Sequence, residues 1–255
     1  MTLQKKVKTE IVWLPSIDST NEEIKRKAAE GAAEGLVIAA DMQTAGKGRR
    51  GRAWQSPAGK NLYFSILLRP EVKPDKASMV TLLMAVAVQK AAAAVSSTET
   101  LIKWPNDVIM HGKKITGILT EMYLKGEEID FVVIGTGVNV KAQTFPEELV
   151  NASDIETESG REISRKELLE VIVDEFFVLY EEYVKTGNLR FVKEIYEKAL
   201  VNKDREVLIL DPAGEYCAVA EGIDEKGELL VRMADGTVRT VYAGEVSVRG
   251  IYGYV

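Results

Sequence analysis

The chain has 255 residues, 46% of them hydrophobic and 28% charged, a balance that excludes a disordered chain, a collagen-like repeat and a disulfide-stapled miniprotein. Asp plus Glu number 39 against 33 Lys plus Arg, so the formal net charge is −6, and a dedicated nucleic-acid binder, whose domains are usually basic, is disfavoured. One cysteine, Cys217, allows no intramolecular disulfide and suits a cytoplasmic setting.

Ile11 to Leu14 is too short for the apolar core of a secretory signal. Ser19-Thr20-Asn21-Glu22-Glu23 reads as a helix start, a capping box of Ser19 with Glu22 or Thr20 with Glu23, and the helix ends at Gly31. Leu36 to Ala40 is a short strand, and residues 41–60 carry no helical or strand period. Asn61 to Leu68 is a strand rich in β formers. Ser78 to Val95 reads as a buried helix, because Thr81, Gln89 and Lys90 interrupt an apolar run shorter than the roughly 20 residues of a membrane span. No membrane segment is therefore expected.

Leu101 to Met110 and Ile115 to Leu124 read as strands joined by a tight turn at His111-Gly112-Lys113-Lys114, and Ile129 to Val140 supplies another. Ser164 caps a long helix running to about Val184, with Leu168, Ile172, Phe176 and Tyr180 along one stripe, and a second helix spans Leu189 to Leu200. From Arg205 onward short β-rich runs alternate with the turn signals Asp211-Pro-Ala-Gly214, Asp224-Glu-Lys-Gly227 and Ala234-Asp-Gly236, the pattern of a small all-β unit. The expected division is 1–202 and 203–255. His111, the sole histidine, reads as a solvated turn residue without metal-ligand spacing around it. Cys217 reads as a packed strand residue, and Phe176, Phe177, Tyr180 and Tyr183 read as core.

The chemistry concentrates in the unpatterned segment. Lys47, Arg49, Arg50 and Arg52 alternate with Gly46, Gly48 and Gly51; glycine lets backbone approach an anion closely, and guanidinium groups grip phosphate or carboxylate with a fork of hydrogen bonds. The spacing is neither that of a Walker loop nor of a dinucleotide fingerprint. A solvated loop or a nucleic-acid patch is the competing reading. Lys103 and Asp107 sit in an apolar strand context interrupted by Pro105, where unpaired burial is costly, so both pair or face a site. Lys114 enters a strand with Gly117 three residues on, and Gly135-Thr-Gly137-Val-Asn139 ends another.

Together, Ser19-Thr20-Asn21, Gln43 to Trp54, Lys103-Trp-Pro-Asn-Asp107, Lys114-Ile-Thr-Gly117, Gly135 to Asn139 and Gly244-Glu-Val-Ser-Val-Arg249 resemble the biotin protein ligases, in order and spacing, from about residue 11 to 250. The resemblance implies an α+β fold: a mixed β-sheet with flanking helices, like the class II synthetases, followed by a small C-terminal SH3-like β-barrel. It implies that biotin and ATP, with Mg²⁺, give biotinyl-5′-AMP and pyrophosphate. A lysine of a biotin carboxyl carrier protein then takes the biotin.

The same resemblance implies the site. Ser19, Thr20, Asn21 and Gln43 surround the biotin head; Gly46, Lys47, Gly48, Arg49, Lys114, Gly117 and Gly137 complete the biotin contacts. Arg49, Arg50, Arg52, Trp54, Lys103, Asn106, Lys114 and Asn139 serve ATP, with Trp54 against the adenine and Asn139 at its edge. Lys114 and Arg49 are the expected catalytic residues. Asn106 and Asp107 serve the nucleotide, its Mg²⁺ or the incoming lysine, Asp107 being the candidate metal contact; Glu245 and Arg249 either reach the nucleotide or form a surface ion pair.

Lys47 stands where the family commonly has arginine, keeping the charge without the fork. The residues ahead of Ser19 are too few for a DNA-binding helix-turn-helix module, so DNA binding and repressor activity are not expected. A homodimer is. The rival readings are a lipoate-protein ligase-like enzyme of the same superfamily and, from another class, a nucleic-acid-binding protein using the basic loop.

Overall fold

The structure is a computed structural model, and residues 7–243, 247–250 and 254–255 are described. Seven strands form one sheet in the order β1-β2-β3-β7-β6-β5-β4. These are β1 (Glu10–Leu14), β2 (Leu36–Ala40), β3 (Leu62–Leu68), β4 (Leu101–Lys103), β5 (Asp107–Met110), β6 (Lys113–Lys125) and β7 (Glu128–Val138). Only β1 and β2 run parallel; the remaining neighbours are antiparallel, which makes the sheet mixed, as expected.

One face is covered by α1 (Thr20–Ala29), whose Ile24 and Ala28 pack on Ile38, Leu67, Phe131 and Val133. The main core lies on the other face, under α2 (Met79–Ser96) and α4 (Arg165–Thr186). Helix α2 is apolar nearly all round because sheet and helices enclose it, the ordinary condition of a core helix. The aromatic stripe of α4 is core: Phe176, Tyr180 and Tyr183 are fully buried, Phe176 stacked on Tyr180 and Tyr183 tilted against it. Ser164 accepts from the Glu167 N–H and starts α4 as its sequence indicates. After α5 (Arg190–Ala199), β8 (Arg205–Leu210), β9 (Tyr216–Ile223), β10 (Leu229–Arg232), β11 (Val238–Val241) and β12 (Ser247–Gly250) form a separate antiparallel sheet ordered β11-β10-β9-β8-β12.

Several local expectations change. The capping box is absent: Ser19 caps nothing with its side chain, and Gln43 Oε1 instead accepts the Thr20 N–H at 2.9 Å. Tertiary contact supplies this acceptor, since residues 43–45 lie along the approach to α1, with Thr44 N bonding Ile17 O and Ala45 N bonding Asp18 O. The run from Leu101 to Met110 is two strands, because Pro105 has no N–H to offer a continuous ladder and the chain turns back there. Edge strand β1 and the short helix α3 (Ile155–Ser159) were not read from the sequence. Cys217 is exposed, since Ala218 takes the inward position of β9. His111 is in the turn, at φ 45°, but its Nδ1 lies 3.0 Å from Glu158 Oε2. Glu245 lies outside the described residues.

Candidate functional site

Loop residues 41–60 fold over the ends of β3, β7, β6 and β5 and enclose a cleft of about 1100 Å³. Every expected site residue lines it except Gly46. Gly46 packs the loop on itself; a Cβ there stands 2.6 Å from Trp54 O and 2.8 Å from Ser56 Oγ.

At one end α1 begins. Ser19, Thr20 and Asn21 are buried, and Thr20 Oγ1 donates to Gln43 Oε1 at 3.1 Å. Ser65 of β3, fully buried, puts its Oγ 2.8 Å from Thr20 Oγ1 and 2.6 Å from Asn21 Oδ1. The Asn21 amide donates to Glu121 Oε2 at 2.6 Å, and Glu121 also holds Lys25 at 2.8 Å. These donors and acceptors are locked to one another, so this end is a rigid polar socket. Gly135 belongs to it for steric reasons: a Cβ there would stand 2.0 Å from Asn21 Oδ1.

The floor is made by Gly117 and Gly137, directly opposite in the β6–β7 register. Trp54 rests on this pair: a Cβ on Gly137 would come 2.5 Å from the indole Nε1, and one on Gly117 2.7 Å from Cζ3. Sequence reasoning assigned Trp54 to adenine; here its ring lies mid-cleft, 5.6 Å below the Lys114 ammonium, with Nε1 buried and unpaired. Lys47 is ion-paired with Glu22, and Arg50 and Arg52 are exposed at the rim. Arg49 uses both ends of its fork: Nη1 donates to Asn106 Oδ1 at 2.6 Å and Nη2 to Ala243 O at 2.7 Å. One side chain thus ties the loop, the β4–β5 turn and the smaller sheet together.

The far end is cationic. Lys114 Nζ lies 2.6 Å from Asp107 Oδ1, and Lys103 is buried nearby. Burial, partly offset by the Asp107 charge, pulls the Lys103 ammonium down to about 8, and the positive Lys114 and Arg249 push the same way. Burial alone raises a carboxyl pKa, but the charges of Lys114 and Lys103 outweigh it and hold Asp107 below its ordinary value. The main chain of Lys114 is fixed on both sides, its N–H bonding Asn151 O and its carbonyl accepting from Ser153 N. Asn139 braces the same wall by donating to Ser153 O at 3.0 Å.

A resident metal does not fit this donor set. Among the described residues no three His, Cys, Asp or Glu side chains are grouped to hold one, and both Asp107 oxygens already carry partners. Asp107 anchors Lys114 in this arrangement.

Residues 13–139 match the biotin/lipoate A/B protein ligase family, and residues 204–249 match the biotin protein ligase C-terminal domain. A bifunctional ligase/repressor BirA of Bacillus spizizenii is 34% identical over 239 residues, covering 92% of this chain and 73% of that protein. The chain belongs to the biotin protein ligases. A biotin–[acetyl-CoA-carboxylase] ligase of Paracoccus denitrificans is 29% identical, the alignment covering 91% of this chain and 98% of that one. The biotin protein ligase of Aquifex aeolicus in complex with biotin and ATP superposes with a TM-score of 0.81 at 29% identity, over 94% and 99% of the two chains.

Within this biotin protein ligase, several residues that brace the site escaped sequence reasoning, among them Ser65, Glu121, Glu22 and Tyr254. Ser65 left a signal, as the only hydroxyl inside the apolar core of a fully buried strand other than the Tyr63 phenol. The others did not, since each acts through a partner distant in sequence: Asn21 for Glu121, Lys47 for Glu22 and Asp107 for Tyr254. Arg249, left open between nucleotide and surface, lines the cleft.

Proposed function

We propose that this ligase joins biotin to a lysine of a biotin carboxyl carrier domain in two steps within the one cleft. A biotin carboxylate oxygen attacks the α-phosphorus of ATP, the bond to the β-phosphate breaks, and pyrophosphate leaves. The ε-amine of the carrier lysine then attacks the acyl carbon of biotinyl-5′-AMP, the anhydride C–O bond breaks, AMP leaves, and the amine gives up a proton. The observation that carries this reading is the pairing of a rigid polar socket at Thr20, Asn21 and Gln43, braced from behind by Ser65, with a cationic far end at Lys103 and Lys114 in one cleft.

The first step brings two anions together, so its barrier is largely electrostatic. The carboxylate is ionised at neutral pH and requires no base, which suits a cleft lined by Arg and Lys without histidine among its described lining residues. Lys114 is the central group: its charge offsets the charge developing at the α-phosphate, and the Asp107 pair and the two backbone bonds fix its place. Lys103 and Arg49 serve the phosphates. Ser19, Thr20, Asn21 and Gln43 hold the biotin head, and Trp54 stacks on or covers the adenine. Mg²⁺ arrives with ATP, held by its phosphates and water rather than by a protein cage.

The division near residue 203, a cytoplasmic location and a homodimer through the edge strand β1, whose Ile11 and Trp13 are exposed, belong to the same proposal. The lipoate reading is weaker, because the match over residues 204–249 is to a domain of the biotin branch. Intact mass of an apo carrier domain after incubation with this chain, Mg-ATP and either biotin or lipoate decides the matter. A gain of biotin minus water supports the proposal; a gain with lipoate alone, or none beside an active control ligase, overturns it.

A further inference from the structure

Lys103 and Asp107 face each other as a register pair across the β4–β5 hairpin, and both are buried. A buried cation and a buried carboxylate so placed ordinarily neutralise each other. Here the carboxylate is taken by other groups. Oδ1 lies 2.6 Å from Lys114 Nζ and accepts from Asn106 Nδ2 at 3.1 Å, while Oδ2 accepts from the Tyr254 hydroxyl at 2.5 Å. Lys103 has no carboxylate within ion-pair distance among the described residues; its ammonium stands 3.7 Å from the centroid of the Tyr254 ring. Tyr254 follows β12 of the smaller sheet, and it lies half-buried in the lining of the cleft of the larger one.

We infer that Tyr254 is a positioning residue for the nucleotide: its hydroxyl occupies Asp107 and its ring caps Lys103, so Lys103 stays an unneutralised cation facing the cleft. A phenol donating to a carboxylate makes a charge-assisted hydrogen bond, which satisfies Oδ2 without adding positive charge. An aromatic face stabilises a desolvated ammonium without adding the negative charge that would cancel it. Both effects keep Asp107 occupied by Lys114 and the phenol and leave the positive charge of Lys103 for phosphate. Without the hydroxyl, Asp107 Oδ2 is unpaired, and Lys103, whose charge already acts on Asp107, is the group placed to take it.

The inference rests on the ligase reading, since the triphosphate is what the cations serve. The test titrates Mg-ATP and biotin separately into the full chain by calorimetry, and follows pyrophosphate exchange with biotin present. In Tyr254→Phe, which keeps the ring, ATP binding weakens about tenfold; in Tyr254→Leu, which loses ring and hydroxyl, it weakens further, to about a hundredfold. Biotin affinity stays at the wild-type value in both, while the melting temperature falls by only a few degrees for the lost hydrogen bond and packing. ATP affinity unchanged in both variants overturns the inference. So does a parallel loss of ATP affinity, biotin affinity and melting temperature, which marks a merely structural role. A wild-type chain that binds ATP but exchanges no pyrophosphate overturns the ligase reading alone, the ATP titration still deciding Tyr254.

Discussion

Lys114 and Asp107, seven residues apart and joined at 2.6 Å across the β5–β6 pair, form the ion pair on which the cationic end of the cleft is built. Lys114→Ala removes the proposed catalytic charge and leaves a buried carboxylate without its cation. Adenylate formation, followed by pyrophosphate exchange, falls by about 10²–10³-fold. Stability falls by about 1–3 kcal/mol, less than for a fully buried pair because Lys114 is partly exposed. Adding Asp107→Asn restores most of the stability and none of the exchange, a split read by thermal melts beside the kinetic assay.

Lys103 makes ATP binding depend on pH. Its proton is held below pH about 8 and lost as the pH rises through that value, whereas an ordinary lysine keeps its proton to about 10.5. Bound phosphate favours the protonated form, so ATP affinity is greatest below pH 8 and declines above it, by at most about tenfold per pH unit. Arginine stays charged throughout, and Lys103→Arg therefore flattens the decline. Calorimetric titration of Mg-ATP between pH 7 and 9.5 checks both chains; an equal slope in the two excludes Lys103 as the cause.

Gly135→Ala tests the socket. The added methyl would stand 2.0 Å from Asn21 Oδ1, so Asn21 must leave Ser65 and Glu121. Biotin affinity drops at least about tenfold while ATP affinity holds, because disrupting charge-linked hydrogen bonds at one end leaves the Lys103–Lys114 end intact. Biotin binding that survives the substitution removes Asn21 from the socket.

Residues 41–60 answer to ligand. Lys47, Arg50 and Arg52 are exposed and offer trypsin its cleavage sites on a segment held to the body by side chains such as Arg49 and Trp54. Biotin plus Mg-ATP slows cleavage there, because the acyl-adenylate needs water excluded and the loop is the element able to close over it. Equal cleavage with and without ligand shows that the loop takes no part in sheltering the intermediate.

Arg49→Lys keeps charge and loses reach. A lysine offers one ammonium where the fork meets Asn106 Oδ1 and Ala243 O together. The KM for ATP rises several-fold, about 1 kcal/mol for one lost charge-assisted bond, while the KM for biotin changes little. Steady-state kinetics with each substrate varied in turn reads the difference.

Much of this was legible in the sequence because the signals were local. The aromatic and aliphatic run of β3, the apolar α2, the Ser164 cap and the stripe from Leu168 to Tyr180 each announce their structure within one element. The glycine–arginine loop and Lys103-Trp-Pro-Asn-Asp107 did the same for the site, since the chemistry of anions dictates those residue types. Where the local reading failed, the deciding partner lay elsewhere in the chain: Ser19 looked like a cap, but Gln43 satisfied the helix start.

Composition and spacing by themselves determined that this chain is a mixed α and β protein with a glycine-interleaved cationic loop, because hydrophobic period and charge type are properties of neighbouring residues. Only the tertiary structure decided which charges are spent and which are free: Lys47 on Glu22, Lys114 on Asp107, and Lys103 under the ring of Tyr254. The physical reason is range. A desolvated ion pair is governed by a few ångströms in space, and Asp107 and Tyr254 reach that distance only when the smaller sheet comes to rest against the larger.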